Sequence, residues 1–267
     1  MTLVQAVVLG ILQGLAEFLP ISSSAHLTLA PWIFGWQDPG LAFDVALHGG
    51  TLVALAWYFR RDWMELTVAA LAILSTRRVQ TPVQQRVILL IIATIPGGIA
   101  GKLLNDYAEQ TFRAPELIAT TLIVMGALLW AADKWAPQQR SLDEVTIKDA
   151  VLIGLAQMFA LIPGVSRSGS TMTAGRALGL QREAAARFSF LMSMPITAAA
   201  VIVKLPQAIH SQPEMMPIVV GILAAAVSGW LAISVLLHYI AKHSFGVFAL
   251  YRLALGVFVL VLAASRR

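Results

Sequence analysis

Six apolar stretches long enough to cross a bilayer alternate with two shorter ones that are cut off by proline and a run of hydroxyl residues, and this alternation constrains the fold more than any other feature of the sequence. The long stretches are roughly 41–59, 86–104, 116–133, 186–204, 215–240 and 246–264. A spanning helix needs about 20 mostly apolar residues. The short stretches, 3–19 and 149–162, end at Glu17 with Pro20 and at Pro163-Gly164. Each is followed by a polar turn and a second short apolar run, 27–36 and 171–180. Irregular backbone at membrane depth is tolerated only where protein buries it or a wet cavity bathes it. Each short pair therefore reads as a re-entrant helical hairpin.

The two breaks are versions of each other. At a constant offset of 144, Gly10 meets Gly154, Gln13 meets Gln157, Ser22 meets Ser166, Ser24 meets Ser168 and Ala25 meets Gly169. The order is then hairpin, three spans, hairpin, three spans. Three is odd, so the second half starts on the opposite side of the membrane. The expected fold is an all-α integral membrane protein with an inverted-topology repeat: six transmembrane helices plus two re-entrant hairpins meeting near the midplane. It forms one membrane domain over 1–267, with repeats of about 1–133 and 145–264.

Composition agrees. The chain is 58% hydrophobic and 12% charged, against roughly 25% charged in a soluble domain. The net charge of +5 sits in short loops, where topology accounts for it and nucleic acid is not expected. With no cysteine, disulfides and thiol nucleophiles are excluded. The N-terminus lacks a basic region and holds Gln13 and Glu17, unlike a cleaved signal peptide.

Charge counting orients the chain. The loop after the first span carries Arg60, Arg61, Arg77, Arg78 and Arg86, and later loops on that side add Lys134, Arg140, Lys148, Arg182, Arg187 and Lys242. The opposite side has Asp106, Glu109, Arg113, Glu116 and Glu214, with Arg266 and Arg267 at the end. The basic side is cytoplasmic, so the Glu17 hairpin enters from outside and the Arg167 hairpin from inside. Lys102 and Arg176 are expected to snorkel.

Charge inside such a chain marks a functional site. In the second break, Gly164 and Gly169 let the backbone turn and approach a ligand. A helix starting near Ser170 aims its amides at an anion. Arg167 is a planar fork matched to phosphate oxygens, and Ser166, Ser168 and Thr171 add donors. The first break offers different chemistry. Gln13 and Glu17, four apart, share a helix face. Glu17 suits a base or an oxygen ligand for a divalent cation, with Gln13 as a weaker ligand. Ser22, Ser23 and Ser24 are candidate nucleophiles, Ser22 and Ser24 also as hydroxyls that bind phosphate, and His26 is a candidate proton-transfer group. Asp44 and His48 share a face and are placed to support this tip from behind.

On these residues the chain resembles the bacterial undecaprenyl-diphosphate phosphatases linked to bacitracin resistance. The family's first motif, Glu or Gln, three residues, Glu, then Pro-x-Ser-Ser closing on His, is met by Gln13, Glu17, Pro20, Ser22, Ser23 and His26. Its second, Pro-Gly-x-Ser-Arg-Ser-Gly-x-Thr, is matched from Pro163 to Thr171. The resemblance implies removal of the terminal phosphate of undecaprenyl diphosphate to recycle the carrier lipid of cell-wall synthesis. It also implies a Mg2+ or Ca2+ requirement and a site opening to the outer face of the bacterial cytoplasmic membrane. Expected partners are the polyprenyl diphosphate and the bilayer, with a possible homodimer. Glu17, Ser23, His26 and Arg167 carry the expected catalysis, with Ser23, water or His26 left open as nucleophile. A lipid transporter or flippase using the same inverted-repeat site is the rival reading, because fold alone does not give function.

Overall fold

The computed structural model describes residues 1–211 and 215–266, leaving out the side chains of residues 41, 105–110, 204, 205 and 207–211. Glu214 and Arg267, and the side chains of Asp106 and Glu109, on which part of the charge count rests, fall outside the described residues.

Among the described residues the chain is helical, with eleven α-helices and two single 3-10 turns. They are α1 Leu3–Phe18, α2 Ser23–Phe34, α3 Leu41–Tyr58, α4 Arg60–Thr76, α5 Pro82–Thr111, α6 Pro115–Trp135, α7 Ile147–Met158, α8 Arg167–Ala177, α9 Arg182–Ser211, α10 Met215–Ile240 and α11 Gly246–Ser265. Five carry segments that are individually long and apolar enough to span: Pro82–Leu104, Pro115–Trp135, Arg182–Val203, Met215–Ile240 and Gly246–Ser265. A sixth span is available if the bent pair α3 and α4 counts as one.

Local chemistry sets the helix ends. Thr2 with Gln5, and Thr146 with Asp149, form reciprocal capping boxes at the starts of α1 and α7, each satisfying two amides that no helical carbonyl can reach. Pro115 opens α6, where its missing N–H costs nothing. Gly35, in the left-handed region at φ 67°, closes α2.

Residues 60–76, expected as charged loop, are helix α4, bent by 79° from α3 at Phe59. Arg60, Arg61, Asp62 and Glu65 hide the pattern. Leu66 and Ala69 nevertheless fall one turn apart and are buried, while Met64, Val68, Leu71 and Leu74 point outward. Outward apolar residues recur on every long helix, as at Val53, Ile91, Val124, Val227 and Val257. That surface belongs to a protein solvated by hydrocarbon rather than water. Between α4, α5 and α9 it folds into a groove of about 650 Å³ whose wall includes Trp63, Leu66, Leu90, Ile91 and Pro195.

Lipid offers no hydrophobic gain for helix association, so packing rests on close approach of small residues. A methyl at Gly10 would lie 2.4 Å from the Gly221 carbonyl oxygen, and one at Gly14 would lie 2.6 Å from that of Ala225. This seats α1 against α10. In the second half, a methyl at Gly154 would lie 2.6 Å from the Ala93 carbonyl oxygen, which seats α7 against α5.

Arg176 does not snorkel. It is fully buried, donating from Nε to Asp133 Oδ1 at 2.9 Å and from its remaining nitrogens to the carbonyls of Ala136, Pro137 and Leu180. Arg182 donates to the same Asp133 oxygen at 2.8 Å, and the Phe245 amide to the other at 2.9 Å. One carboxylate therefore ties the ends of α6, α8, α9 and α11, and an arginine with that many acceptors has no reason to reach for water. Lys102 is exposed at the rim of the apolar groove. Residues assigned to the basic side pair with one another: Arg86 with Asp143, Arg140 with Asp149 and Arg187 with Asp62. On the other side Arg113 pairs with Asp38, and Arg266 donates to the Trp32 and Ile33 carbonyls near the end of α2.

Candidate active site

The two breaks share one backbone geometry. Ser22 and Ser166 both lie at positive φ, 77° and 72°, a region that costs a non-glycine residue free energy and persists only where the surroundings impose it. Each serine caps the helix it precedes, Ser22 Oγ accepting from the Ala25 amide and Ser166 Oγ from the Gly169 amide. Each also lies 3.2 Å, hydroxyl to hydroxyl, from the serine two places on, Ser24 and Ser168. The second helix thus begins at Arg167 with Ser166 as its cap, three residues earlier than the expected start near Ser170.

The tips touch through charge. Glu17, 7% exposed at the end of α1, pairs through Oε1 with Arg167 at the start of α8. Its Oε2 accepts from Ser23 Oγ at 2.6 Å and from Gln13 Nε2 at 3.1 Å. His48 Nε2 on α3 stands 3.5 Å from the same oxygen, an ion pair when the ring is protonated. His48 Nδ1 faces the Asp44 carbonyl at 2.8 Å, so the ring is held in one orientation. Phe18, next to Glu17 in the chain, packs edge to face on Phe190 at 5.4 Å within the main apolar core.

These groups line a cavity of about 220 Å³ whose polar wall is Glu17, Ser23, Ser24, His48, Ser166, Arg167 and Thr197. The volume is below the ~300–1,000 Å³ of a site for a whole drug-sized molecule, so it suits a headgroup. A hydroxyl donating to a buried carboxylate at 2.6 Å has the geometry of a nucleophile and its base. A guanidinium beside them supplies the charge that transferring groups need.

Other expected site residues stand behind the cavity wall. His26 does not face the cavity. Its Nδ1 lies 2.7 Å from the Ser22 carbonyl and so carries the proton, leaving Nε2 to accept from the Tyr251 hydroxyl at 2.7 Å. Both ring nitrogens are engaged within the protein, and His26 is not among the residues that line the cavity. Ser22 is a cap. Ser168 Oγ donates to the Leu19 carbonyl at 3.3 Å, and Thr171 Oγ1 to the Arg167 carbonyl at 2.8 Å while meeting Ser189 Oγ at 2.6 Å. These bonds fix the tips rather than point into the cavity. Gly164, at φ 91°, has no room for a methyl beside Thr121 Oγ1 and the Ile118 carbonyl. Gly169 lies under an arginine from α11. Asp44 is buried off the cavity, with Oδ1 unpartnered.

That arginine, Arg252, escaped the sequence reading. It is fully buried in the apolar run of α11, and a charge inside a span was the signal that marked it. Its neighbour Tyr251, which holds His26, was missed with it. Thr197 carried no signal at all.

The family model for bacitracin resistance protein BacA matches residues 6–258. The chain belongs to this family. Among curated relatives, a Gemmatimonas aurantiaca protein is 64% identical over 266 residues, covering 100% of both chains. One from Pelotomaculum thermopropionicum is 51% identical, covering 100% of this chain and 99% of its own. A third, from Moorella thermoacetica, is 48% identical over all of both. All three are named undecaprenyl-diphosphatase. The BacA match takes in both breaks and every residue of the cavity wall.

Proposed function

We propose that this membrane protein hydrolyses undecaprenyl diphosphate to the monophosphate and inorganic phosphate, recycling the carrier lipid of cell-wall synthesis. The observation that carries the reading is the Ser23–Glu17–Arg167 contact across the two tips, in a chain whose full-length relatives are named for this reaction. Transport would need the anion grip but not a hydroxyl held 2.6 Å from a carboxylate.

The diphosphate enters the cavity and takes over part of the Arg167 guanidinium now held by Glu17. Ser23 Oγ attacks the terminal phosphorus in line, and its proton passes to Glu17. The bond from that phosphorus to the bridging oxygen breaks, and the prenyl monophosphate leaves. Glu17 passes that proton to the departing monophosphate and is a carboxylate again. Water then attacks the phosphoserine, giving a proton to Glu17, which hands it to Ser23 Oγ as the bond from phosphorus to Oγ breaks and inorganic phosphate departs. Arg167, with Ser24 and Ser166 beside it, stabilises charge on the transferring group, which is most of the work in phosphoryl transfer. Ser168 and Thr171 hold the Arg167 loop, and His26, Asp44 and His48 brace the Glu17 side.

A divalent cation, Mg2+ or Ca2+, fits these residues in a limited way. Mg2+ commonly takes one or two carboxylates together with substrate phosphate oxygens. Here Glu17 and the buried Gln13 Oε1, which has no partner, would hold it. Bound, it would neutralise charge on the diphosphate.

The same reading takes the two halves as an inverted repeat with re-entrant hairpins, within one membrane domain. Support comes from the matched conformations of Ser22 and Ser166 and from the reciprocal packing of α1 on α10 and α7 on α5. Arginine-rich loops on one side support a cytoplasmic-membrane protein whose site opens outward. Along α9, Pro195 in the apolar groove precedes Ile196 in the cavity wall, which supports a prenyl chain lying in the groove with its headgroup inside.

The test is phosphate release from undecaprenyl diphosphate by purified protein in detergent, with and without chelator. We expect release that chelator stops and Mg2+ or Ca2+ restores. Ser23→Ala should lose at least ~10³-fold in turnover, and Tyr251→Phe, which frees His26, less than about tenfold. No release by the unmodified protein under any metal would refute the reading, and Ser23→Ala with near-normal turnover would refute the nucleophile.

A further inference from the structure

We infer that Arg252 is a positioning residue that locks the two tips in register, so that Glu17 and Ser23 from one meet Arg167 from the other. The inference rests on the proposed phosphatase reading only for its kinetic readout.

Arg252 lies in α11 with no exposure. No carboxylate pairs with it among the described residues. Its nitrogens go to backbone carbonyls on three separate segments. Nη1 donates to Pro20 in the first tip at 3.0 Å, and Nη2 to Gly164 at 2.7 Å and Val165 at 3.1 Å in the second. Nε donates to Leu122 of α6 at 3.3 Å. An unpaired cation in hydrocarbon is expensive. It persists here because each break leaves carbonyls that no helix can satisfy, and one planar fork reaches both sets at once.

The geometry explains why the residue is arginine. Lysine offers three donors from a single nitrogen, and one atom cannot stand at the Pro20 carbonyl and at the Gly164–Val165 pair together. It also explains Gly169. A methyl there would lie 2.7 Å from Arg252 Nη1 and 3.0 Å from Ser166 Cβ. Only glycine lets the fork lie directly behind Ser166, which lines the cavity. Arg252 therefore sits one residue behind the reacting groups and acts on them through the backbone.

The experiment uses the full chain, which has no native cysteine, so spin labels attach only where cysteines are introduced. With labels at Ile21→Cys and Ile162→Cys, the inter-tip distance distribution is measured for the otherwise native protein, R252K, R252M and G169A. The same unlabelled substitutions are assayed for kcat and KM on undecaprenyl diphosphate, normalised to folded protein. We expect all three to broaden the distribution and to lower kcat by about a hundredfold, the effect of an ångström-scale misplacement, with KM changing less than threefold. Should R252M not fold, R252K decides alone, since it keeps charge and bulk. An R252K with native distances and kcat within twofold overturns the inference, because charge or stability alone would then suffice. If the unmodified protein hydrolyses nothing, the phosphatase reading fails, and the distances still decide the lock.

Discussion

Removing the Arg167 guanidinium separates what the ion pair does for the fold from what it does for the chemistry. Glu17 is 7% exposed and Arg167 17%, so Arg167→Met leaves a carboxylate buried without its cation. Breaking a buried pair costs ~3–5 kcal/mol. Ser23 and Gln13 still donate to Glu17, and the cavity admits water, which puts the cost near ~3 kcal/mol. At ~2–4 °C per kcal/mol for a chain of this size, melting in detergent should fall by about 6–12 °C. Turnover should fall further, by ~10³–10⁵-fold, the worth of an arginine on a transferring phosphoryl group. The double variant Glu17→Gln with Arg167→Met has no charge left to strand. Its melting temperature should return to within about 3 °C of the unmodified protein, because a neutral replacement of a buried pair is close to energetically neutral. Its turnover should be no better than that of either single variant. Differential scanning fluorimetry and phosphate release on the same preparations check both halves. A double variant less stable than Arg167→Met would refute the buried-pair account, and Arg167→Met with turnover within tenfold of normal would refute its catalytic role.

Two further outcomes follow from packing. Gly14→Ala places a methyl against Ser228 Oγ and the Ala225 carbonyl and should cost ~1–3 kcal/mol; by moving α1, which carries Glu17, it should also lower turnover, whereas Gly98→Ala, with nothing near the new methyl, should be neutral or slightly stabilising in a melt. Asp133→Asn strips the charge shared by Arg176 and Arg182 and should cost ~3–5 kcal/mol, seen as a lowered melting temperature, while folded protein keeps its kcat.

The helices were legible where the apolar pattern was long, as in α5, α6, α10 and α11. They were not legible where it was interrupted by charge, because α4 fully buries only a narrow stripe at Leu66 and Ala69 and leaves its other apolar residues half-buried or exposed. The tips were legible because proline followed by serines cannot continue a helix in oil. Arg176 was misplaced for an instructive reason. An arginine near a helix end looks the same in sequence whether it reaches for water or for an aspartate 43 positions away. The direction of the His26 ring, toward Tyr251, was equally out of reach, since sequence brings it close to Ser23 but cannot say which way its ring turns.

The sequence by itself determined the solvent, five of the long helices, the two matched breaks and the chemical groups at each, because hydrophobicity, proline and spacing act locally. Tertiary structure alone decided that Glu17 of one break meets Arg167 of the other, that His26 turns toward Tyr251, and that Arg252 from the last helix holds both tips. Those contacts join residues up to 232 positions apart. What brings them together is the close fit of glycine faces and the need of carbonyls in oil for a donor, and neither can be read one segment at a time.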